Sequence, residues 1–342
     1  MAAAARAEVV WLTVDAESAG QRLDNFLLRH LKGVPKTHVY RIIRSGEVRL
    51  NKGRAAAASR VSAGDVVRVP PVRVAARADA AAALALPLPP AREFPVLLED
   101  DCLLAIDKPA GVAVHGGSGV SFGVIEQLRR ARPQARFLEL VHRLDRETSG
   151  ILLLAKKRGA LKALQAQFRN RQTGKTYLAL VLGQWSASRR VIDAPLRKHL
   201  IENGERRVKI TTGDDADGMR AITLVRVARR LADMTLLEVS IKTGRTHQIR
   251  VHLASCGHPI AGDDKYGDFE RNKALQKQGL KRMFLHAWKL RFEHPATDPG
   301  GGDQGDDDGA TAAATAGAPV QLQAPLPPDL QQFLSSLKPA LP

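Results

Sequence analysis

The sequence predicts an α+β protein, with a small basic module near the N-terminus and a larger domain on a largely antiparallel mixed sheet. Three observations support this prediction. Two amphipathic helical segments and two short strand-like segments occur together before residue 76, and an alanine- and proline-rich stretch follows them. Beyond that stretch, strand-like segments outnumber helical ones and succeed one another as hairpins, which is typical of an α+β domain.

Composition limits the possible partners. The 342 residues carry 52 Lys and Arg against 35 Asp and Glu, for a formal net charge of +17, and such a chain is attracted to polyanions. The apolar run Ile151 to Ala155 is far shorter than the roughly 20 residues of a membrane span, and the N-terminal stretch with Glu8 lacks the core of a signal peptide. Two cysteines, Cys102 and Cys256, cannot form a disulfide framework. We therefore expect a cytoplasmic, monomeric protein that binds nucleic acid.

The basic module is expected at residues 19–75. In "GQRLDNFLLRHL" the apolar residues recur at helical spacing, "KTHVYRIIRSG" repeats the pattern, and "EVRLN" and "AGDVVRVP" have strand character. Ten Lys or Arg oppose two acids between residues 21 and 60. A charge run is often only a solvated face, but this density on two short helices and a hairpin favours RNA binding.

These segments resemble the S4 RNA-binding domain. The "AAAASR" stretch at residues 55–60 departs from that pattern, because relatives carry more polar and basic residues there. The resemblance and the charge distribution together predict RNA contacts by these basic residues: Arg22, Lys36, Arg41, Arg44 and Lys52.

The remaining organisation follows from composition. Residues 76–95 are rich in Ala and Pro and are interpreted as a linker, so the second domain is expected at residues 96–342. An acidic, glycine-rich insert at about residues 298–318 is predicted to be disordered.

The second domain opens with short buried strands in "DCLLAIDKP" and "RFLELVHRLD", followed by strands in "GILLLAKK" and "KTYLALVLG". Between the last two, "RGALKALQAQFRNRQ" has the spacing of an amphipathic helix. Two further strands flank a turn near residues 232–233, and "RTHQIRVHLASCG" is predicted to be a helix that ends at Gly257.

The stretch "VHRLDRETSG" places Asp145 between two arginines, in a loop between two predicted strands. Loops held by a sheet commonly carry catalytic groups. Taken alone, however, the Arg-Asp-Arg run is as compatible with a structural ion pair as with a functional site.

Four ordered motifs favour the functional interpretation. "HRLDRETSG" occurs together with "DKPAGVAVHGG", "GKTYLALV" and "TGRTHQIRVHLASCGHPIAGDDKYGD", and the S4-like module precedes them. In these motifs the chain resembles the pseudouridine synthases of the ribosomal large-subunit type. The resemblance implies isomerisation of uridines in 23S ribosomal RNA, a reaction that needs no cofactor, metal or redox step.

The resemblance also implies roles for individual residues. Asp145 is the nucleophile or base beside C1′ of the ribose, and Arg250 is the cation that keeps it ionised. Tyr177 stacks on the uracil and could help to remove the C5 proton late in the reaction. The target nucleotide must be flipped out of the RNA, with Arg143 filling the vacated space or holding a flanking phosphate and Ile249 packing on the base. Arg245, Lys108 and Arg146 are expected to be structural or to contact the RNA backbone.

Two other functional classes remain open. A non-catalytic RNA-binding assembly factor could share the scaffold, although the co-occurrence of Asp145, Tyr177 and Arg250 speaks against it. A nucleoside hydrolase is disfavoured by the basic module. Among the nearby His247, His252, Cys256 and His258, the two histidines His247 and His252 do not have the i, i+4 spacing of a helical metal site. No carboxylate completes a set of ligands, so no metal is expected.

Overall fold

The computed structural model describes residues 8–15, 18–31, 34–72, 89–116, 122–201, 205–295 and 317–340. The chain divides into two compact units, residues 1–88 and 89–342. The predicted α+β architecture is confirmed in both units.

The first unit packs two helices on a small antiparallel sheet of four strands, in which the first strand along the chain pairs with the fourth, the fourth with the second and the second with the third. Leu23, Phe26 and Leu27 from the first helix are buried, as their helical spacing predicts, and they meet Val39 and Ile42 from the second helix in one core. Its elements are β1 (Val10–Thr13), α1 (Leu23–His30), α2 (Lys36–Arg44), β2 (Arg49–Leu50), β3 (Gly53–Arg54) and β4 (Val66–Val69).

The second unit is built on a ten-stranded sheet. Its elements are β5 (Val96–Glu99), β6 (Leu103–Lys108), α3 (Val124–Ala131), β7 (Glu139–Leu140), β8 (Ser149–Ala155), α4 (Arg158–Arg169), β9 (Gly174–Leu182), β10 (Val191–Asp193), β11 (Leu196–Leu200), β12 (Arg206–Ile210), β13 (Ile222–Arg230), β14 (Met234–Ile241), α5 (Gln248–Ser255), α6 (Phe269–Lys277), β15 (Leu285–Glu293), β16 (Pro319–Gln323) and α7 (Pro328–Ser336).

The strands of the large sheet follow the order β10-β13-β14-β9-β15-β8-β6-β5, with β16 beside β15 and β7 beside β8. Among the described strands, only the β15–β8 pair is parallel. Strands β11 and β12 form a separate hairpin. The sheet is therefore largely antiparallel and mixed, as predicted.

Strand β8 lies at the centre of the packing, and all seven of its residues are buried. Alternate side chains enter different cores: Leu152 and Leu154 pack on one face of the sheet, whereas Ile151 and Leu153 pack on the other beside Leu164 of α4. A strand covered on both faces is continuously apolar, which explains the run "ILLLA".

Other sequence predictions differ from the structure or are not tested by it. The strand expected in "RFLELVHRLD" is reduced to the two residues of β7, because the chain leaves the sheet to form the loop of Asp145. Phe94, which the sequence analysis assigns to the linker, is buried in the core of the second unit. The acidic insert lies outside the described residues except for residues 317 and 318, and the domain boundaries at 19–75 and 96–342 remain predictions.

None of the helices in the described ranges is long and apolar enough to cross a membrane.

Candidate active site

Asp145 lies at the middle of the large sheet, in the loop that joins β7 to β8. Strands β8, β15, β9 and β14 are consecutive neighbours in the sheet, so the end of β8 faces residues from the other three. The loop turns through a hydrogen bond from the backbone N–H of Thr148 to the carbonyl of Asp145. This turn places the Asp145 carboxylate at a cavity.

The loop of Asp145 is fastened to the turn that follows β6. Lys108 is fully buried, and its ammonium donates hydrogen bonds to the carbonyls of Pro109, Val112 and Arg146. Gly111 N–H also donates to the carbonyl of Arg146, and the Arg146 guanidinium donates back to Gly111. Burial lowers the pKa of Lys108 to about 7. Lys108 and the backbone carbonyl of Arg146 therefore anchor the loop, whereas the Arg146 side chain is 61% exposed.

Tyr177 reaches the cavity from β9. Its backbone pairs with Val239 of β14 and Ala287 of β15, and Ala287 also pairs with Gly150 of β8. Gly150 has φ of 110°, and a Cβ there would lie 2.3 Å from the carbonyl oxygen of Ala287. Glycine is required because β8 and β15 approach so closely. The resulting row of residues sets Tyr177 and the loop of Asp145 around one cavity.

The Tyr177 side chain is nearly buried, with 9% of its surface exposed. Burial, and then the negative charge of Asp145, raise the pKa of its phenol. The phenol is therefore protonated at neutral pH, and the ring presents an aromatic face to the cavity.

Arg250 enters from α5 and is 4% exposed. Its Nη1 lies 3.8 Å from Oδ2 of Asp145, as an ion pair. Burial alone would lower the pKa of Arg250, but hydrogen bonds to Asp263 and the charges of Asp263 and Asp145 raise it. The sequence prediction that Arg250 can reach Asp145 agrees with this geometry.

The main partner of Arg250 is Asp263, which the sequence analysis did not identify. Nε and Nη2 of Arg250 each donate to the Asp263 carboxylate at 2.7 Å. The backbone N–H groups of Lys265 and Tyr266 also donate to Asp263. Burial alone would raise the pKa of Asp263, but the hydrogen bonds from Arg250 lower it. Asp263 therefore orients the guanidinium and leaves Nη1 to face Asp145.

His247 is a second residue that sequence reasoning missed as part of this site. It precedes α5 in the left-handed region, with φ of 53°. Its Nε2 lies 4.0 Å from Oδ2 of Asp145, and its Nδ1 lies 2.8 Å from the hydroxyl of Tyr266. A positive φ is uncommon for a residue other than glycine or asparagine, and it is the structural feature that distinguishes His247.

Five residues predicted from the sequence line the same cavity: Arg143, Asp145, Tyr177, Ile249 and Arg250. Arg143 is exposed at its mouth, whereas Ile249 is buried. The Asp145 carboxylate has no hydrogen-bond donor among the described residues, and the nearest cation is at 3.8 Å. The cavity therefore offers a carboxylate free to react, an aromatic face and a fixed positive charge.

The remaining predicted contacts lie in the first unit. Arg22, Arg41, Arg44 and Lys52 are exposed there, and Lys36 begins α2. Arg22 pairs with Asp24, and Arg44 donates to the backbone carbonyl of Tyr40. Their contact with RNA remains a prediction.

The histidines near α5 have other partners. His252 is fully buried between Thr223 and the carbonyl of Ala194, and His258 contacts the carbonyl of Leu182. No cluster of three potential metal ligands occurs within the part of the chain that the structure describes.

Comparisons with known proteins place the chain among relatives of one family. A family model described as RNA pseudouridylate synthase matches residues 102–255, and the S4 domain model matches residues 21–67. The chain is 50% identical to ribosomal large subunit pseudouridine synthase C of Yersinia pestis over 327 residues, covering 96% of this chain and 95% of the relative. The corresponding protein of Escherichia coli is 52% identical over 288 residues, covering 84% of this chain and 89% of the relative.

Solved structures show the same relationship. Human RNA pseudouridylate synthase domain containing 1 superimposes with a TM-score of 0.55 at 25% identity, covering 72% of this chain and 89% of that one. Human RNA pseudouridylate synthase domain containing 4 has a TM-score of 0.54 at 26% identity, covering 72% and 95%.

Proposed function

The chain belongs to the RNA pseudouridylate synthase family, and from that premise we propose that it isomerises specific uridines of 23S ribosomal RNA to pseudouridine. The observation that carries the proposal is the Asp145 carboxylate, which faces Arg250 across 3.8 Å in a cavity shared with Tyr177. The names of the bacterial relatives support ribosomal RNA of the large subunit as the substrate. The protein would act in the cytoplasm, as a monomer.

The reaction exchanges one bond for another. The bond from C1′ of the ribose to N1 of uracil breaks, the base rotates, and a bond from C1′ to C5 forms. The proton on C5 then leaves, and N1 gains a proton, so no oxidant or energy donor is consumed. We assign Asp145 to the C1′–C2′ side of the ribose as nucleophile or base. The positive charge of Arg250, 3.8 Å away, stabilises the negative charge of the carboxylate when substrate excludes water.

The base needs a binding face as well as a reacting group. Tyr177 offers its ring for stacking on the uracil, and Ile249 offers an apolar contact on the same cavity. Because burial raises the pKa of Tyr177, a phenolate at this position is disfavoured. We therefore assign Tyr177 to stacking and not to removal of the C5 proton as a free base.

A uridine stacked within folded RNA cannot reach this cavity, so the nucleotide is flipped out before reaction. Arg143 is exposed at the mouth of the cavity, where it is available to occupy the space left by the base or to hold a flanking phosphate. The exposed arginines of the first unit, which matches the S4 domain, supply affinity for the phosphate backbone.

The direct test uses unmodified 23S RNA labelled with tritium at C5 of uridine. Purified protein should release tritium, and mapping of the RNA should locate the pseudouridines formed. A non-catalytic assembly factor would bind the RNA without releasing tritium. RNA binding without tritium release under any condition would contradict the proposal.

A further inference from the structure

The hydroxyl of Tyr266 is the hydrogen-bond partner of Nδ1 of His247. Tyr266 Oη accepts a hydrogen bond from the backbone N–H of Val208 at 3.0 Å and lies 2.8 Å from Nδ1 of His247. The phenol can donate its hydrogen to Nδ1 or accept one from it, so this contact is compatible with both tautomers of the ring. The charge that faces Nε2 decides between them.

Electrostatics favour the tautomer with the hydrogen on Nε2. Nε2 faces the Asp145 carboxylate, and a lone pair there would be repelled by the negative charge whereas an N–H is attracted. Burial lowers the pKa of His247, with Asp145 opposing that effect and Arg250 and Lys265 adding to it. The neutral ring with hydrogen on Nε2 is the dominant form at neutral pH.

The position of the ring is fixed from two sides. The left-handed backbone of His247, with φ of 53°, begins α5. Its ring packs edge-on against the ring of Tyr266, at 5.5 Å between centroids. The Tyr266 ring in turn lies under the guanidinium of Arg250, 5.1 Å from its Cζ. Tyr266 therefore aligns both groups that face Asp145.

The gap between His247 and Asp145 has a defined size. The distance of 4.0 Å from Nε2 to Oδ2 is too long for a direct hydrogen bond. One oxygen atom at about 2.8 Å from each of them fits between the two. That oxygen must accept from Nε2–H and donate to the carboxylate, which a hydroxyl does and a phosphate or carbonyl oxygen does not.

We propose that His247 and Asp145 together bind the 2′-hydroxyl of the target ribose, so that His247 selects RNA over DNA at the reacting nucleotide and Tyr266 is its positioning residue. This inference rests on the proposed function, which sets C1′ of the target beside Asp145. The 2′-hydroxyl is attached to the neighbouring carbon and is the group that distinguishes ribose from deoxyribose.

The test compares two RNA fragments that differ only at the target sugar. The fragment contains a uridine that the wild-type protein converts, and the second version carries 2′-deoxyuridine there. The wild-type protein should bind the ribose version about tenfold more tightly, as expected when one hydrogen bond to a charged site is lost. Binding needs no turnover, so the ratio is measurable even if the deoxyribose version does not react.

Two substitutions at His247 separate the effect of losing the hydrogen bond from the effect of changing the backbone conformation. Asparagine tolerates the left-handed region, so His247→Asn keeps the backbone but removes the Nε2 donor. It should weaken binding of the ribose version severalfold and leave the deoxyribose version unchanged, so that the ratio falls to the part that Asp145 alone supports. His247→Gln retains an N–H donor on a longer side chain and should recover part of the preference for ribose.

Tyr266→Phe keeps the ring under Arg250 and removes the hydroxyl that holds Nδ1 of His247. The ribose preference should fall between those of the wild type and His247→Asn. Equal losses for both sugars in His247→Asn, or a wild-type protein that does not distinguish them, would overturn the inference. Failure of the wild type to form pseudouridine in any 23S fragment would instead contradict the proposed function, which keeps the two outcomes distinct.

Discussion

Arg250 is held by Asp263 through two hydrogen bonds of 2.7 Å, from Nε and from Nη2. Both side chains are buried, with 4% and 0% of their surfaces exposed. A buried charge pair contributes little net stability compared with an apolar pair, but it fixes direction. Here the direction matters because the remaining nitrogen, Nη1, faces Asp145.

Replacing Asp263 with Asn should both destabilise the protein and reduce turnover. The buried guanidinium loses its compensating charge, a change that typically costs about 3–5 kcal/mol in the free energy of unfolding. Arg250 is then free to turn toward Asp145 and neutralise it. Thermal unfolding and single-turnover pseudouridine formation measure the two effects.

The matched control is Asp264→Asn. Asp264 is adjacent in sequence and lies 3.4 Å from Arg250, but its side chain is 79% exposed. Exposed ion pairs are worth roughly 0–1 kcal/mol, so stability and turnover should change little. Equal effects of the two substitutions would contradict the orienting role of Asp263.

The sequence predicted those parts of the site that follow from local patterns. Local patterns predicted three elements: the amphipathic helix α4, the apolar strand β8 and the helix that carries Arg250. Motif resemblance then named Asp145, Tyr177 and Arg250, and all three line one cavity.

Other features depend on contacts that spacing does not encode. The pairing of Arg250 with Asp263 depends on the turn after Ile260, and the left-handed backbone of His247 depends on the Tyr266 contact. Strand β15 was missed, although its alternation around Leu290 and Phe292 was a usable signal. Long-range pairing and unusual backbone angles are decided by tertiary packing, which local patterns do not report.

Lys108→Met should loosen the loop of Asp145. Met fills a similar volume but leaves the carbonyls of Pro109 and Val112 without their donor. An unsatisfied buried acceptor costs about 1–3 kcal/mol in the free energy of unfolding. The substitution also removes the cost of burying a charged ammonium, which offsets part of that loss. We expect a net loss of about 2 kcal/mol in stability and a lower single-turnover rate. Lys156→Met removes a partly exposed ion pair with Glu99 and should change neither by much.

His286 should make stability depend on pH in the acidic range. It is fully buried, and burial lowers its pKa to about 4. Its Nδ1 lies 2.9 Å from Oγ of Ser149, which accepts a hydrogen bond from Arg282. The unfolded pKa is about 6.5, so the unfolded chain takes up the proton first as the pH falls. Stability present above pH 6.5 is therefore lost between about pH 6.5 and 4, by an amount on the order of 3 kcal/mol.

The thermal midpoint measured at steps of pH tests this expectation. His286→Gln cannot titrate, so it should reduce the dependence between pH 6.5 and 4, while His142, whose pKa burial also lowers to about 4, retains its own contribution. His115→Gln removes an exposed histidine and should retain the wild-type slope. A wild-type slope in His286→Gln would show that other groups cause the acid sensitivity.

The basic face of α2 should contribute to the salt dependence of RNA binding. Arg41 and Arg44 are both exposed on this helix. Replacing both with Gln should reduce the slope of log affinity against log salt by about 1.8 on duplex-like RNA, if each contacts one phosphate. Turnover at saturating RNA should be retained, because the chemistry belongs to the second unit. Lys273→Gln with Lys277→Gln removes two exposed cations from α6 and should leave the slope nearly unchanged.

Asp145→Asn decides between a reacting carboxylate and a structural ion pair. Asn keeps the shape and one acceptor oxygen but removes the charge and the nucleophile. If Asp145 reacts, turnover should fall by at least about four decades, which corresponds to roughly 5 kcal/mol in the barrier. Stability and RNA binding should persist, because the Asp145 side chain has no hydrogen-bond donor among the described residues and Arg250 remains held by Asp263.

Arg146→Ala is the control: its side chain is 61% exposed and pairs with Glu147, so turnover should survive. Single-turnover pseudouridine formation with a parallel binding assay measures both. A residual rate of a few per cent in Asp145→Asn, with deamidation to Asp excluded by mass spectrometry, would show that the carboxylate does not carry the reaction.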